Sequence, residues 1–187
     1  AGKLYSMQER SLFDESAGGY PPIKQGGPNP GPKLGEVMIS EIMYNSTDGN
    51  LDLEFIELYN SSGSTISLTG WELDKGVEFA FPPGTLVQPG QSVVVVGFDL
   101  NATDKLDAFR TTYGIGPEVV VVGGWSGNLN NGGETISLLR PDLPPLDDPS
   151  YTPMVIEEIV TYSNDPPWPA GADGNGSSLI RKERESW

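Results

Sequence analysis

Two strand-like runs carry the residues best suited to chemistry. Ile39-Ser-Glu-Ile-Met-Tyr-Asn45 holds Glu41, and Glu54-Phe-Ile-Glu-Leu-Tyr-Asn60 holds Glu54 and Glu57. Both runs end in Tyr-Asn and set glutamate among apolar residues. A carboxylate is costly to bury bare, so each must be paired, hydrogen-bonded or placed at a strand end. Two carboxylates in one cleft could ligate calcium, or act as acid and nucleophile on a glycoside. The alternative is that they are polar groups of the fold, accepting backbone N–H groups or an arginine. Strand alternation puts Glu41 on a face with Val37, Ile39 and Met43, Glu57 with Phe55 and Tyr59, and Glu54 with Ile56 and Leu58. Glu41 and Glu57 are assigned the structural role.

The segment between the two runs suggests an ion. Asp48, Asn50, Asp52 and Glu54 place oxygen side chains at alternate positions, like the start of an EF-hand loop. The likeness stops there, because Leu53 stands where such a loop needs glycine and Tyr59 where it needs the closing glutamate. Calcium held by these four residues is the metal site, and the one cofactor, that the sequence offers. The tryptophans suggest a ligand of another kind. Trp71 follows a strand-end glycine and reads as core. Trp168, between prolines, reads as a clamp on the last strand. Trp125, in Gly123-Gly-Trp-Ser-Gly127, sits in a loop and is the one expected to be exposed, where it could stack on a sugar. Four triplets, beginning at Asn45, Asn60, Asn101 and Asn175, fit the N-glycosylation pattern.

Composition removes whole classes of chemistry. The 187 residues include no cysteine and no histidine, so Ser-His-Asp and Cys-His nucleophiles and thiolate or imidazole metal sites are excluded within this chain. Carboxylate chemistry, serine–lysine variants and oxygen-ligand metals remain. Lysine plus arginine is 11 and aspartate plus glutamate is 26, a net charge of −15 that repels nucleic acid phosphates. No apolar run approaches the roughly 20 residues that span a bilayer, so no membrane insertion is expected. The chain opens with alanine, which suggests a mature or excised piece of a multidomain protein.

The elements that must position these residues are β-strands. Residues 1–34 read as a Pro/Gly-rich N-terminal arm or linker, with Gly26-Gly-Pro-Asn-Pro-Gly-Pro32 blocking both helix and ladder. From residue 35 to 187 the pattern is that of one β-domain. Val77, Phe79 and Phe81 alternate with polar or small residues, and Ser92 to Val96 is nearly all valine, the mark of a buried strand. One short helix is expected from Thr103, which could cap it, to Gly114, which stops it. Met154 to Tyr162 reads as a long strand with Met154, Ile156, Val160 and Tyr162 on one face. Many short strands separated by Gly/Pro turns predict an all-β sandwich or barrel.

Several motifs then coincide in order: the two Tyr-Asn runs, Leu68-Thr-Gly-Trp71, Phe81-Pro-Pro-Gly-Thr-Leu86, Asn131-Gly-Gly-Glu-Thr-Ile-Ser-Leu138, Trp168 and Asp173-Gly-Asn-Gly-Ser-Ser-Leu-Ile-Arg181. Together they resemble a bacterial-type lamin tail domain over residues 35 to 181. The resemblance implies an immunoglobulin-like β-sandwich with no catalytic site, carried in secreted or cell-surface proteins beside hydrolase or adhesion modules. No heptad rod supports a filament subunit. The expected function is a non-catalytic extracellular binding or scaffolding module with a protein or glycan partner. A carbohydrate-binding module is the alternative, and a carboxylate-dependent hydrolase the third reading.

Overall fold

The structure is a computed structural model and describes residues 35–182. The arm expected over residues 1–34 lies outside the described residues, as do 183–187. Two five-stranded sheets face one another. Their strands are β1 (Val37–Met43), β2 (Phe55–Asn60), β4 (Glu72–Asp74), β5 (Val77–Ala80), β7 (Ser92–Val96), β8 (Val120–Gly123), β9 (Ser126–Gly127), β10 (Gly133–Pro141), β11 (Met154–Ser163) and β12 (Leu179–Ile180). The first sheet runs β12-β1-β2-β7-β8 and the second β11-β10-β4-β5-β9. A small ribbon joins β3 (Ile66–Ser67) to β6 (Leu86–Val87). The fold is the expected all-β immunoglobulin-like sandwich with one helix.

Apolar alternation builds the core between the sheets. Ile39, Ile42, Ile56, Leu58, Val93 and Val95 from the first sheet meet Leu73, Val77, Ile136, Leu138, Val160 and Tyr162 from the second. A second cluster covers the other face of the first sheet, where Met43, Phe55, Val94 and Val96 pack beneath helix α1 (Thr103–Tyr113) through Phe109. That helix is the crossover that the parallel pair β7–β8 requires. Gly114 ends it in the left-handed region, at φ 63°, as expected. Thr103 does not cap it. The cap position is Ala102, whose carbonyl accepts from Lys105 and Leu106 N–H.

Two bulges change which side chains face inward. β1 slips register on β2 between Ile39 and Glu41. Val37 and Ile39 therefore share the core with Ile42 and Tyr44, while Met43 belongs to the cluster under α1. Glu41 is thus not on the face of Val37 and Ile39. The slip on β10–β11 opposes Leu138 to Glu158 and Leu139 to Ile156. Beyond it Val160 and Tyr162 stay inward, but Ile156 turns out and is 60% exposed.

Candidate functional site

The two Tyr-Asn strands lie side by side, and their register sets Glu41 directly opposite Glu57. Like charges so placed repel. The fold answers with a hydroxyl for each. Ser178 Oγ donates to Glu41 Oε1, bringing the last strand onto β1, and Ser40 Oγ donates to Glu57 Oε1 at 2.5 Å. The partners are therefore serines, not the backbone or arginine that the sequence suggested. Burial pushes the Glu41 carboxyl above the usual range, the Ser178 bond opposes that, and Glu57 adds to it. Nearby, Tyr113 donates its hydroxyl to Leu53 O at 2.7 Å; burial first, then Glu41 and Glu54, push it up to about 12.

Backbone and arginine do satisfy a carboxylate, but a different one. Glu158, on the inward face with Val160 and Tyr162, accepts Ile39 N–H at 2.6 Å and is paired with Arg181. Arg181 Nε in turn donates to Ile39 O at 3.0 Å. Glu157 beside it accepts Glu36 N–H at 3.0 Å and Arg140 Nε at 2.8 Å. These contacts stitch β11 to β1 where β12 has not yet begun to pair. The sequence reading passed over Glu158, although plain alternation puts it on the face of Val160 and Tyr162; its partners Ile39 and Arg181 are visible only in the folded sheets.

The structure scatters the four residues of the calcium loop. Asp48 sits at φ 64° in a short 3₁₀ turn. Asn50 Oδ1 accepts Asp52 N–H at 3.1 Å, and Asp52 pairs with Lys105 of α1 at 2.9 Å. Glu54 leaves the loop altogether: the residue is 3% exposed, and its carboxyl accepts the backbone N–H of Leu129. Among the described residues no group of three or more carboxylates is arranged to hold a metal ion. Glu54 instead joins a second buried polar group. Glu134 Oε1 accepts Asn130 N–H at 2.7 Å and the Tyr162 hydroxyl at 2.9 Å, and the Tyr162 ring stacks on Tyr44 at 4.7 Å. Two glutamates thus hold the 128–133 loop onto the end of the sandwich. Burial, with Glu134 adding to it and the Leu129 bond opposing, pushes the Glu54 carboxyl up to about 7.

Trp125 is a correction to the sequence reading. It is 8% exposed and belongs to the main core, with Trp71. The following residue enters β9, and the ring lies over Gly97, where an added Cβ would come within 2.8 Å of Trp125 Nε1. It therefore presents no face for a sugar. Trp168 packs partly buried against the core and lines a cleft with Leu179 and Ile180, as a clamp should. Of the four glycosylation triplets, Asn60 is fully buried. Its amide donates to Ser64 O and Val87 O, both at 2.8 Å, and its Oδ1 accepts from Ser62, so it is a structural tie between strands.

The clefts on the described surface are lined by other residues. One, about 460 Å³, lies along β5 and is walled by Glu78, Phe79, Ala80, Asp99 and Gly124. The glutamates singled out by the sequence hold the fold, and the open surface is elsewhere. Comparison with curated proteins gives no match. The family model of the Lamin Tail Domain matches residues 30–152, stopping just short of the two strands that complete the sheet edges. That family is an immunoglobulin-like, non-enzymatic domain. With the match covering most of the sandwich, the chain belongs to the lamin tail domain family.

Proposed function

We propose that this domain is a non-catalytic binding or scaffolding module of a larger secreted or cell-surface protein, with a protein or glycan as its partner. One observation carries the reading. Glu41, Glu54, Glu57 and Glu158 each accept hydrogen bonds from donors that the sandwich itself supplies. A catalytic carboxylate needs to reach a substrate proton or carbon, and one bonded into the fold is already committed. The −15 charge supports a partner other than nucleic acid. No described helix is long and apolar enough to cross a membrane.

The test is incubation of the chain with glycoside, ester and phosphodiester substrates, beside binding to protein and glycan arrays. The expected result is saturable binding without turnover. Hydrolysis that disappears in Glu41→Gln or Glu57→Gln would overturn the reading in favour of a carboxylate-dependent hydrolase.

A further inference from the structure

β5 pairs with β4 through Glu72–Ala80 and Leu73–Phe79, but with β9 only through Val77–Gly127 and Glu78–Ser126. Phe81 N–H donates to Trp71 O at 2.9 Å, which sets the alternation. Phe79 and Phe81 turn their backbone groups toward β4, while Glu78 and Ala80 turn theirs toward β9. The next ladder position opposite Ala80 would be Gly124, yet Gly124 gives its N–H to Val96 O at 3.1 Å. The ladder therefore opens at Ala80, an exposed residue, and leaves a strand position without a neighbour.

A furrow occupies that gap. Its volume of about 460 Å³ falls in the range of binding clefts, roughly 300–1,000 Å³. Pro82 and Leu100 supply apolar walls beside Phe79. Two hollows of about 320 Å³ extend it along β4 and the Lys75–Gly76 turn, and all three share Glu78 and Ser126. Leu73 and Val77 point into the core, so Glu72, Asp74 and Glu78 fall together on the outer face. Asp99 faces them across the furrow. The ion pairs among the described residues go to Asp52, Glu157 and Glu158, and no described cation lies within ion-pair distance of these four carboxylates. Ser126 Oγ reaches Glu78 at 3.3 Å, and Asn101 donates to Asp99 Oδ1 at 2.9 Å.

We propose that this furrow takes an extended, basic peptide segment of a partner protein, which adds to β5 beside Ala80 as a short strand. The inference rests on the reading of the chain as a binding module. Strand addition satisfies the open backbone position, and alternation supplies the specificity. Lysine or arginine at every second residue meets the outer carboxylates, and small apolar residues between them face Phe79 and Leu100. A second copy of the chain would bring its own −15 charge to an acidic groove.

The probe is a capped octapeptide of alternating lysine and valine, titrated into the ¹⁵N-labelled full chain. Amide shifts are expected at Glu78–Ala80 and Gly123–Ser126. Affinity should fall about tenfold or more between about 0.15 M and 1 M salt. A peptide with glutamate for lysine should not bind. A peptide with alternate backbone nitrogens methylated keeps its charge but cannot form the ladder, and should bind about tenfold more weakly, near the value of one lost pair of backbone bonds. The double variant E78K/D99K should lose binding, and E78Q/D99N, which keeps both acceptors, should weaken it with its urea midpoint unchanged. Shifts elsewhere, or equal binding of the methylated peptide, would overturn the proposal. Absence of peptide binding alongside saturable binding of another partner would overturn the furrow and leave the module reading standing, whereas turnover of substrate would overturn that reading itself.

Discussion

Glu54→Gln isolates the most perturbed carboxyl of the domain. Glutamine keeps an acceptor for Leu129 N–H, so the loop stays tied while the titration is removed. Burial pushes the native Glu54 carboxyl from 4.5 up to about 7. The folded state therefore binds this proton more tightly than the unfolded chain does. Stability from this group is complete below about pH 4.5 and is lost as pH rises through about 7. At about 1.4 kcal/mol per decade, the span bounds the loss at about 3 kcal/mol, of which roughly 2–3 falls between about pH 5 and 8. Wild type and E54Q are compared by urea unfolding across that range, and the difference between their curves removes every other titrating group. The variant should gain on wild type by that amount as pH rises. Parallel curves would refute the buried, proton-holding Glu54.

Three further outcomes follow from the same geometry. Trp125→Ala empties a core position and should cost about 3–5 kcal/mol in urea unfolding, where loss of an exposed sugar platform would cost almost nothing. Asn60→Ala leaves Ser64 O and Val87 O without their donor inside the sandwich and should cost about 3 kcal/mol by the same measurement. Calcium chelation should leave the melting temperature unmoved, since no described carboxylate group gathers around an ion; a fall of several degrees would show that one is bound.

Regular periodicity made much of the fold legible. The valine run at Ser92–Val96, the alternation of Val77, Phe79 and Phe81, and the helix stop at Gly114 were readable because each is a local pattern. The failures come from register. One slip in β1 moved Glu41 away from the face of Val37 and Ile39, and one in β11 exposed Ile156. A period of two cannot show where it is broken. Trp125 was misplaced because its glycine-rich surroundings resemble a loop. The signal was Gly97, 28 positions earlier, whose missing side chain makes room for the ring. Ser178 is 137 residues from Glu41, and only the folded sheet order shows them to be partners. The furrow was invisible for the same reason, since it is a place where pairing ends.

The glutamates of the two Tyr-Asn strands serve the fold, and that role is open to experiment. Its most direct test is E41Q/E57Q, read for hydrolytic turnover and urea midpoint on the same preparation. The claim requires no turnover in either protein and a shifted midpoint in the variant, because a facing carboxylate pair and its two serine partners have been changed. Turnover by the wild type that vanishes in a variant with an unshifted midpoint would contradict it.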